Sequence, residues 1–470
     1  MSSSSNALRY VSTRGGAKPT PFADTLLEGL APDGGLFIPE AWPSFTASEI
    51  AAFSGKPYAE VAAAVVGKFA GEAFPPEVLL PICQEAYATF SHPAATPLKE
   101  LDTGLWLLEL FHGPTLAYKD VAMQLLARLY ARVLKSSGRR LTIVVATSGD
   151  TGGAAVEAFR GVEGVSVVVL VPEGRISEVQ RRFMTTTGAA NIRCVAVDGS
   201  FDDCQTIVKS LFRDDGFRKA VDLSGVNSIN WARVAAQSVY YFTCAVALGA
   251  PHRPVSFAVP TGNFGDAFAG YVAKTMGLPI ERITLAVNSN DILARAINDG
   301  VYAQGKVAAT QSPAMDIQIA SNFERLFYEA VGRDPQVTAS AFQAFSSTTG
   351  ITLPSSALGA MRGLFGGQAV SEPETSAAMA AALRDTGELI DPHTAVGYAA
   401  AQRLVRGATP LVALSTAHPA KFPEAVEAAT GQAPALHPRA KDLYALPEAI
   451  DRLAADAEAV KAYVREFVGA

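Results

Sequence analysis

The sequence predicts an α/β protein made of two parallel-sheet lobes, with a mainly helical domain ahead of them. Three observations lead there. Short β-branched runs, apolar on both faces, alternate with helix-length amphipathic stretches, the pattern of a parallel sheet covered on both sides. That alternation begins only after about residue 105, so the preceding text forms its own region. The 470 residues are 49% hydrophobic and 18% charged, enough for several domains with large cores.

The elements follow in order. Residues 1–95 form the first region. Its segment GLAPDGGLFIPE (29–40) is punctuated by Pro32, Asp33, Gly34 and Gly35 as turns, and helices are expected at 47–53, 58–70 and 76–88. LWLLEL (105–110) is a strand, and VAMQLLARLYARVL (121–134) is a helix because Val121, Leu125, Leu129 and Val133 share one stripe. Strands LTIVVAT (141–147), VSVVVLVP (165–172) and IRCVAVDG (192–199) alternate with helices at 151–160, 176–186 and 201–214. A long helix near 230–248 leads to a second series: strand VSFAVP (255–260), a helix from 265, strand ITLAVN (283–288) and strand PLVALST (410–416). The closing LPEAIDRLAADAEAVKAYVREFV reads as one amphipathic helix. The expected division is 1–95 for the N-terminal domain, 96–124 with 220–470 for a large lobe, and 125–219 for a small α/β lobe. No internal repeat occurs, and Ser2–Ser5 is the one low-complexity stretch.

Composition excludes several function classes. A net charge of −6 and a pI near 5.6 argue against a nucleic-acid surface, and KSSGRR (135–140) is the densest basic stretch. Cys83, Cys194, Cys204 and Cys244 form no CxxC and read as thiols of a reducing, cytoplasmic setting. The histidines lack zinc-ligand spacing, so no metal is expected. The N-terminus has no apolar core of a secretory signal, and no run approaches the ~20 apolar residues of a membrane span.

Chemistry concentrates at the carboxyl ends of the strands, where open parallel sheets bind ligands. Lys119, in FHGPTLAYKD (111–120), opens a helix. Helix dipole and partial burial both favour its neutral amine, the form that makes a Schiff base. Its ordinary alternative is a lysine paired with Asp120. In PTGNFGD (260–266), Gly262 and Gly265 free successive N–H groups to face an anion at a helix N-terminus. The loop lacks the spacing of dinucleotide and P-loop sites, so nucleotides are disfavoured. TSGDTGG (147–153) offers the hydroxyls of Thr147, Ser148 and Thr151 and the carboxylate of Asp150; helix capping is the alternative. Thr416 ends a strand where its hydroxyl could meet a ring nitrogen. His112 and His418 lie nearby, and NSINWARV (227–234) presents Asn227, Asn230 and Arg233, the last a substrate clamp or a structural ion pair. A nucleophilic amine beside two anion loops suits a phosphate-bearing carbonyl, and pyridoxal phosphate fits better than any nucleotide.

These segments, with SPAMDIQIASNFERLFYE (312–329), DPHTAVGY (391–398) and STAHPAKFPEAV (415–426), resemble threonine synthase. VSTRG (11–15) and LLEGLAPDGGLFIPE (26–40) resemble the longer class with an extra N-terminal domain. The resemblance covers nearly the whole chain. It implies fold type II of the pyridoxal-phosphate enzymes, the tryptophan-synthase-β-like group, with the cofactor between the lobes. It implies that Lys119 holds the cofactor covalently and that Gly262, Asn263, Phe264, Gly265 and Asp266 hold its phosphate. Thr416 would face the pyridine nitrogen; Thr147, Ser148, Asp150 and Thr151 would lie near the substrate carboxylate or the 3′-oxygen, with Asn230 and Arg233 as further substrate contacts. Relatives in the wider group often carry Asn where Asp150 stands, and a carboxylate there would repel a phenolate. The implied reaction converts O-phospho-L-homoserine and water to L-threonine and phosphate by γ-elimination and β-addition. A related outcome is a phospho-lyase releasing a 2-keto acid, and a third is a non-catalytic cofactor-binding relative. The partner is a small molecule, with neither nucleic acid nor membrane involved, and the chain is a monomer or homodimer.

Overall fold

Two parallel sheets organise the computed structural model, which describes residues 8–174 and 176–470. The serine run at 2–5 lies outside the described residues. The larger sheet has the order 365–369, 280–287, 255–260, 411–415, 105–109, 98–102, parallel except at its last edge, where Leu98–Asp102 pairs antiparallel with Leu105–Glu109. The smaller sheet has the order 451–454, 192–198, 165–172, 141–146, 223–224, parallel throughout. The central strands are buried over nearly their whole length, which is why Val165–Pro172 reads VSVVVLVP without alternation.

The N-terminal region holds helices Phe22–Glu28, Ala47–Ala51, Tyr58–Ala70 and Pro76–Tyr87 and a short antiparallel pair, Tyr10–Ser12 with Phe37–Pro39. Its core is continuous with that of the large lobe: Trp231, fully buried at the start of the helix Trp231–Ala247, packs its ring against Tyr10, Trp42 and Phe69.

Two expectations are corrected. The closing segment is not one helix: Asp451–Ala454 is a strand and only Ala457–Val468 is helical. The strand adds to the smaller sheet beside Ile192–Asp198, and Val460 and Val464 join that lobe's core. The lobe division expected at 219 therefore misplaces the C-terminus, as well as the short strand Leu223–Ser224, which pairs with Leu141–Ala146. Among the described residues no helix is long and apolar enough to cross a membrane, and no group of His, Cys, Asp and Glu could hold a metal. All four cysteines are free and buried.

Candidate active site

Lys119 opens the helix Lys119–Ser137 and is only 7% exposed. The first turn of a helix presents the positive end of its dipole, so an ammonium there is disfavoured. Burial is the largest influence and pulls the lysine pKa down; the charges of Lys421 and Arg233 act the same way, against an upward pull from Asp150. The Tyr118 ring centroid lies 5.3 Å from Lys119 Nζ.

Asp120 does not pair with Lys119. Its carboxylate accepts from the Thr115 backbone N–H at 2.7 Å and the Thr115 hydroxyl at 2.8 Å, and so folds the FHGPT loop back on the helix. The carboxylate near Lys119 is Asp150, at 3.6 Å.

Asp150 begins the helix Asp150–Phe159. Its Oδ1 accepts from Lys421 Nζ at 2.7 Å and from Gln180 Nε2 at 2.9 Å. Gln180 reaches it across Gly149, whose φ is +131° and where a Cβ would lie 2.5 Å from the Gln180 amide carbon; only glycine fits there. Burial opposes the Asp150 charge, yet Lys421, Lys119 and His393 together hold its carboxyl well below the usual range. The repulsion expected between this carboxylate and a phenolate is thus offset by Lys421. Thr147 shapes the turn itself: its Oγ1 accepts from the N–H groups of Gly149 at 3.0 Å and Gly152 at 2.9 Å. Ser148 and Thr151 are half-buried and carry the turn's remaining hydroxyls.

PTGNFGD links the strand Val255–Pro260 to the helix Gly265–Thr275. Phe264 adopts φ +63°, left-handed and costly for a residue with a Cβ. Its buried ring is gripped by Phe268, Phe323 and Phe365, which holds the backbone in that conformation. The N–H groups of Gly262, Asn263 and Phe264 find no acceptor among the described residues. A Cβ at Gly262 would stand 3.1 Å from the Ala314 carbonyl oxygen and the Met315 Cα. The outer side of the turn is held by Asn322, whose backbone N–H and Nδ2 donate to the Asn263 carbonyl at 3.0 and 3.1 Å. Asp266 lies on the inner side of the turn. Its Oδ1 accepts from the Thr261 hydroxyl and the Ala267 N–H, so it braces the turn from within, and its buried Oδ2 has no partner. Its carboxylate supports the turn and adds no donor for a phosphate.

Thr416 follows the strand Leu411–Ser415, and its carbonyl accepts from the Tyr118 N–H at 2.8 Å, which seats this strand end beside Lys119. Its own N–H donates to Thr394 Oγ1 at 3.2 Å. Thr394 donates in turn to Asp391, which also receives His393 Nδ1 at 2.7 Å; His393 Nε2 accepts from the Ala314 N–H, fixing that tautomer.

Asn230 and Arg233, the two further expected substrate contacts, are both buried at the start of one helix. Asn230 is fully buried as the cap of the helix Trp231–Ala247, accepting from the Ala232 N–H and donating to the Leu26 carbonyl. Arg233 is 2% exposed; Nη1 donates to the Val226 carbonyl and Nε has no partner. It forms neither a clamp at the surface nor an ion pair, and acts on Lys119 through its charge.

Sequence reasoning passed over Lys421, Gln180, Asn322 and His393. Lys421 carried a signal, a lysine in the otherwise apolar AKF just past Thr416. Gln180 carried none, since its role depends on a glycine in another turn.

The set fits a carbonyl cofactor with an anionic tail. It supplies a buried amine tuned toward its neutral form, a turn with unused N–H groups where a side chain would collide with backbone, and a strand-end hydroxyl between them.

Comparisons with known proteins agree. Residues 9–87 match the family model Threonine synthase N terminus, residues 89–367 match Pyridoxal-phosphate dependent enzyme, and residues 394–464 match Threonine synthase, C-terminal. Threonine synthase of Pseudomonas aeruginosa is 48% identical, over 98% of each chain. The crystal structure of pyridoxal-phosphate-bound threonine synthase from Brucella melitensis superposes with a TM-score of 0.96 at 51% identity, covering 98% of this chain and 100% of that one. Threonine synthase from yeast superposes at 0.93 with 37% identity, covering 98% and 99%.

Proposed function

The chain belongs to the threonine synthase family, and from that premise we propose that it converts O-phospho-L-homoserine and water to L-threonine and phosphate with pyridoxal phosphate as cofactor. The observation that carries the reading is the buried Lys119 amine beside Asp150 and Thr416, with the free N–H groups of Gly262–Phe264 on the same side of the larger sheet.

Lys119 Nζ would hold the cofactor's carbonyl end, Gly262, Asn263, Phe264 and Gly265 its phosphate, and Thr416 its ring nitrogen. When bound, the cofactor supplies a conjugated ring that delocalises the charge left when a proton departs from the substrate's Cα. Lys119 would do the proton work: its free amine would be the base at Cα and would later return the proton there. Burial lowers its basicity and so favours the neutral amine, the form able to accept that proton. Lys421 and Gln180 hold Asp150 fixed beneath it. Ser148, Thr151 and the adjoining backbone N–H groups of the same turn as Asp150 would be donors for a substrate carboxylate. The enzyme acts on a small molecule, as monomer or homodimer and without nucleic acid or membrane; a cytoplasmic setting agrees with four buried free thiols.

Product analysis tests the reaction. The purified protein, given pyridoxal phosphate and O-phospho-L-homoserine, is expected to release threonine and phosphate in equal amounts. A 2-keto acid in place of threonine would assign the elimination outcome and overturn the proposal.

A further inference from the structure

We propose that Lys421 is a positioning residue for Lys119: it occupies the Asp150 carboxylate and so leaves the Lys119 amine uncharged. The inference rests on the reading of Lys119 as the cofactor-bearing lysine for its catalytic meaning, while its geometry stands alone.

One carboxylate serves two buried amines. Lys421 Nζ is 2.7 Å from Asp150 Oδ1, and it also donates to the Thr115 carbonyl at 2.8 Å. Gln180 fills the remaining room on Oδ1. Lys119 is left with Oδ2 at 3.6 Å, outside hydrogen-bond range. Side-chain exposures are 1% for Lys421, 5% for Asp150 and 9% for Lys119, so water screens little and the nearer amine takes most of the carboxylate's charge. A second ammonium here would be a buried charge in excess, and the loosely held amine is the one that gives up its proton.

The other charged groups around the pair do not reverse this. Arg233, on the helix Trp231–Ala247, adds positive charge near Lys119. Asp266, on Gly265–Thr275, acts on Lys119 from farther away and is held in its turn by Thr261. His393, on Pro392–Gln402, acts on Asp150, and Asp120 acts on Lys421 while bonded to Thr115. Tyr118 offers Lys119 a ring face. The basicity of Lys119 is lowered and that of Asp150 strongly lowered, as this division of charge requires.

The test is the pH dependence of covalent pyridoxal-phosphate capture by the full-length protein stripped of cofactor, followed by visible absorbance, with circular dichroism to verify folding. Capture needs a neutral amine, so its midpoint reports Lys119. Lys421→Met is expected to raise the midpoint by about one pH unit or more, because Asp150 is then left to Lys119 alone. Lys421→Arg keeps the charge and is expected to stay near the parent. Asp150→Asn is expected to lower the midpoint. Coincident midpoints for the parent and Lys421→Met overturn the inference. If Lys421→Met does not fold, an Asp150→Asn midpoint at or above the parent's overturns it instead. Undiminished capture by Lys119→Ala would overturn the underlying reading of Lys119, a failure distinct from an unshifted midpoint.

Discussion

At Asp266 burial wins over hydrogen bonding: the carboxyl is pushed up to about 6 although Thr261 and the backbone pull it down. Asp120 behaves alike, at about 6 against two bonds from Thr115. Of the three only Asp150, with Lys421 in direct contact at 2.7 Å, is driven the other way. Solvation thus sets the ionisation of these carboxyls unless a cation is in direct contact. His418 follows the same rule. Burial first, then the nearby His437 and His112, lower its pKa from 6.5 to about 4. An unfolded chain takes up a proton near pH 6.5 and the folded chain only near pH 4, so the stability from a neutral ring is complete above 6.5 and is lost as pH falls toward 4. The contribution is on the order of 3 kcal/mol. Asp120 and Asp266 push the opposite way over part of that window, so the useful observable is a difference. His418→Asn keeps a cap for Ala420 and does not titrate; its melting temperature is expected to fall less than the parent's on acidification. Parallel curves would show that His418 is not the group responsible.

Among the elements, the strand-to-helix turns do the positioning, and they were also the most legible part of the sequence. The runs LTIVVAT, VSVVVLVP and VSFAVP are β-branched and apolar on both faces, so period and composition point to one answer, and each glycine turn sits at a strand's carboxyl end. The strand Asp451–Ala454 was not legible: DRLA is polar and mostly exposed, and it pairs only because it lies at a sheet edge. The Lys421–Asp150 pair was hidden for another reason. It joins two lobes through the fold, and no local pattern encodes such a contact. The PTGNFGD turn makes its own prediction. Gly262→Val would press a side chain against backbone at Ala314 and Met315, which cannot yield as a flexible side chain can. Overpacking of this kind costs about 1–3 kcal/mol, so cofactor affinity is expected to fall by roughly tenfold or more in a spectroscopic titration. Unchanged affinity would remove this turn from the cofactor site.

Across the whole molecule, the N-terminal region is wired to that turn. Arg325 is fully buried; its Nε donates to the Phe37 carbonyl at 2.9 Å, its Nη2 to the Ile229 carbonyl at 2.6 Å, and its Nη1 to Asn322, which in turn holds Asn263. A second tie runs beside it, Arg14 with Glu324 at 2.7 Å. The first domain therefore supports the floor of the site as well as covering the large lobe. Arg325→Met leaves two buried carbonyls and Asn322 without their donor, at a cost of about 1–3 kcal/mol for each unsatisfied group. Thermal stability and cofactor affinity are expected to fall together; a loss of stability with affinity intact would mean the domain only packs on the lobe. Lys119 remains the point on which the two lobes converge. Borohydride reduction of the cofactor-loaded protein, followed by peptide mass spectrometry, tests that directly. The cofactor is expected on the peptide containing Lys119; finding it on Lys421 or on any other lysine would refute the assignment.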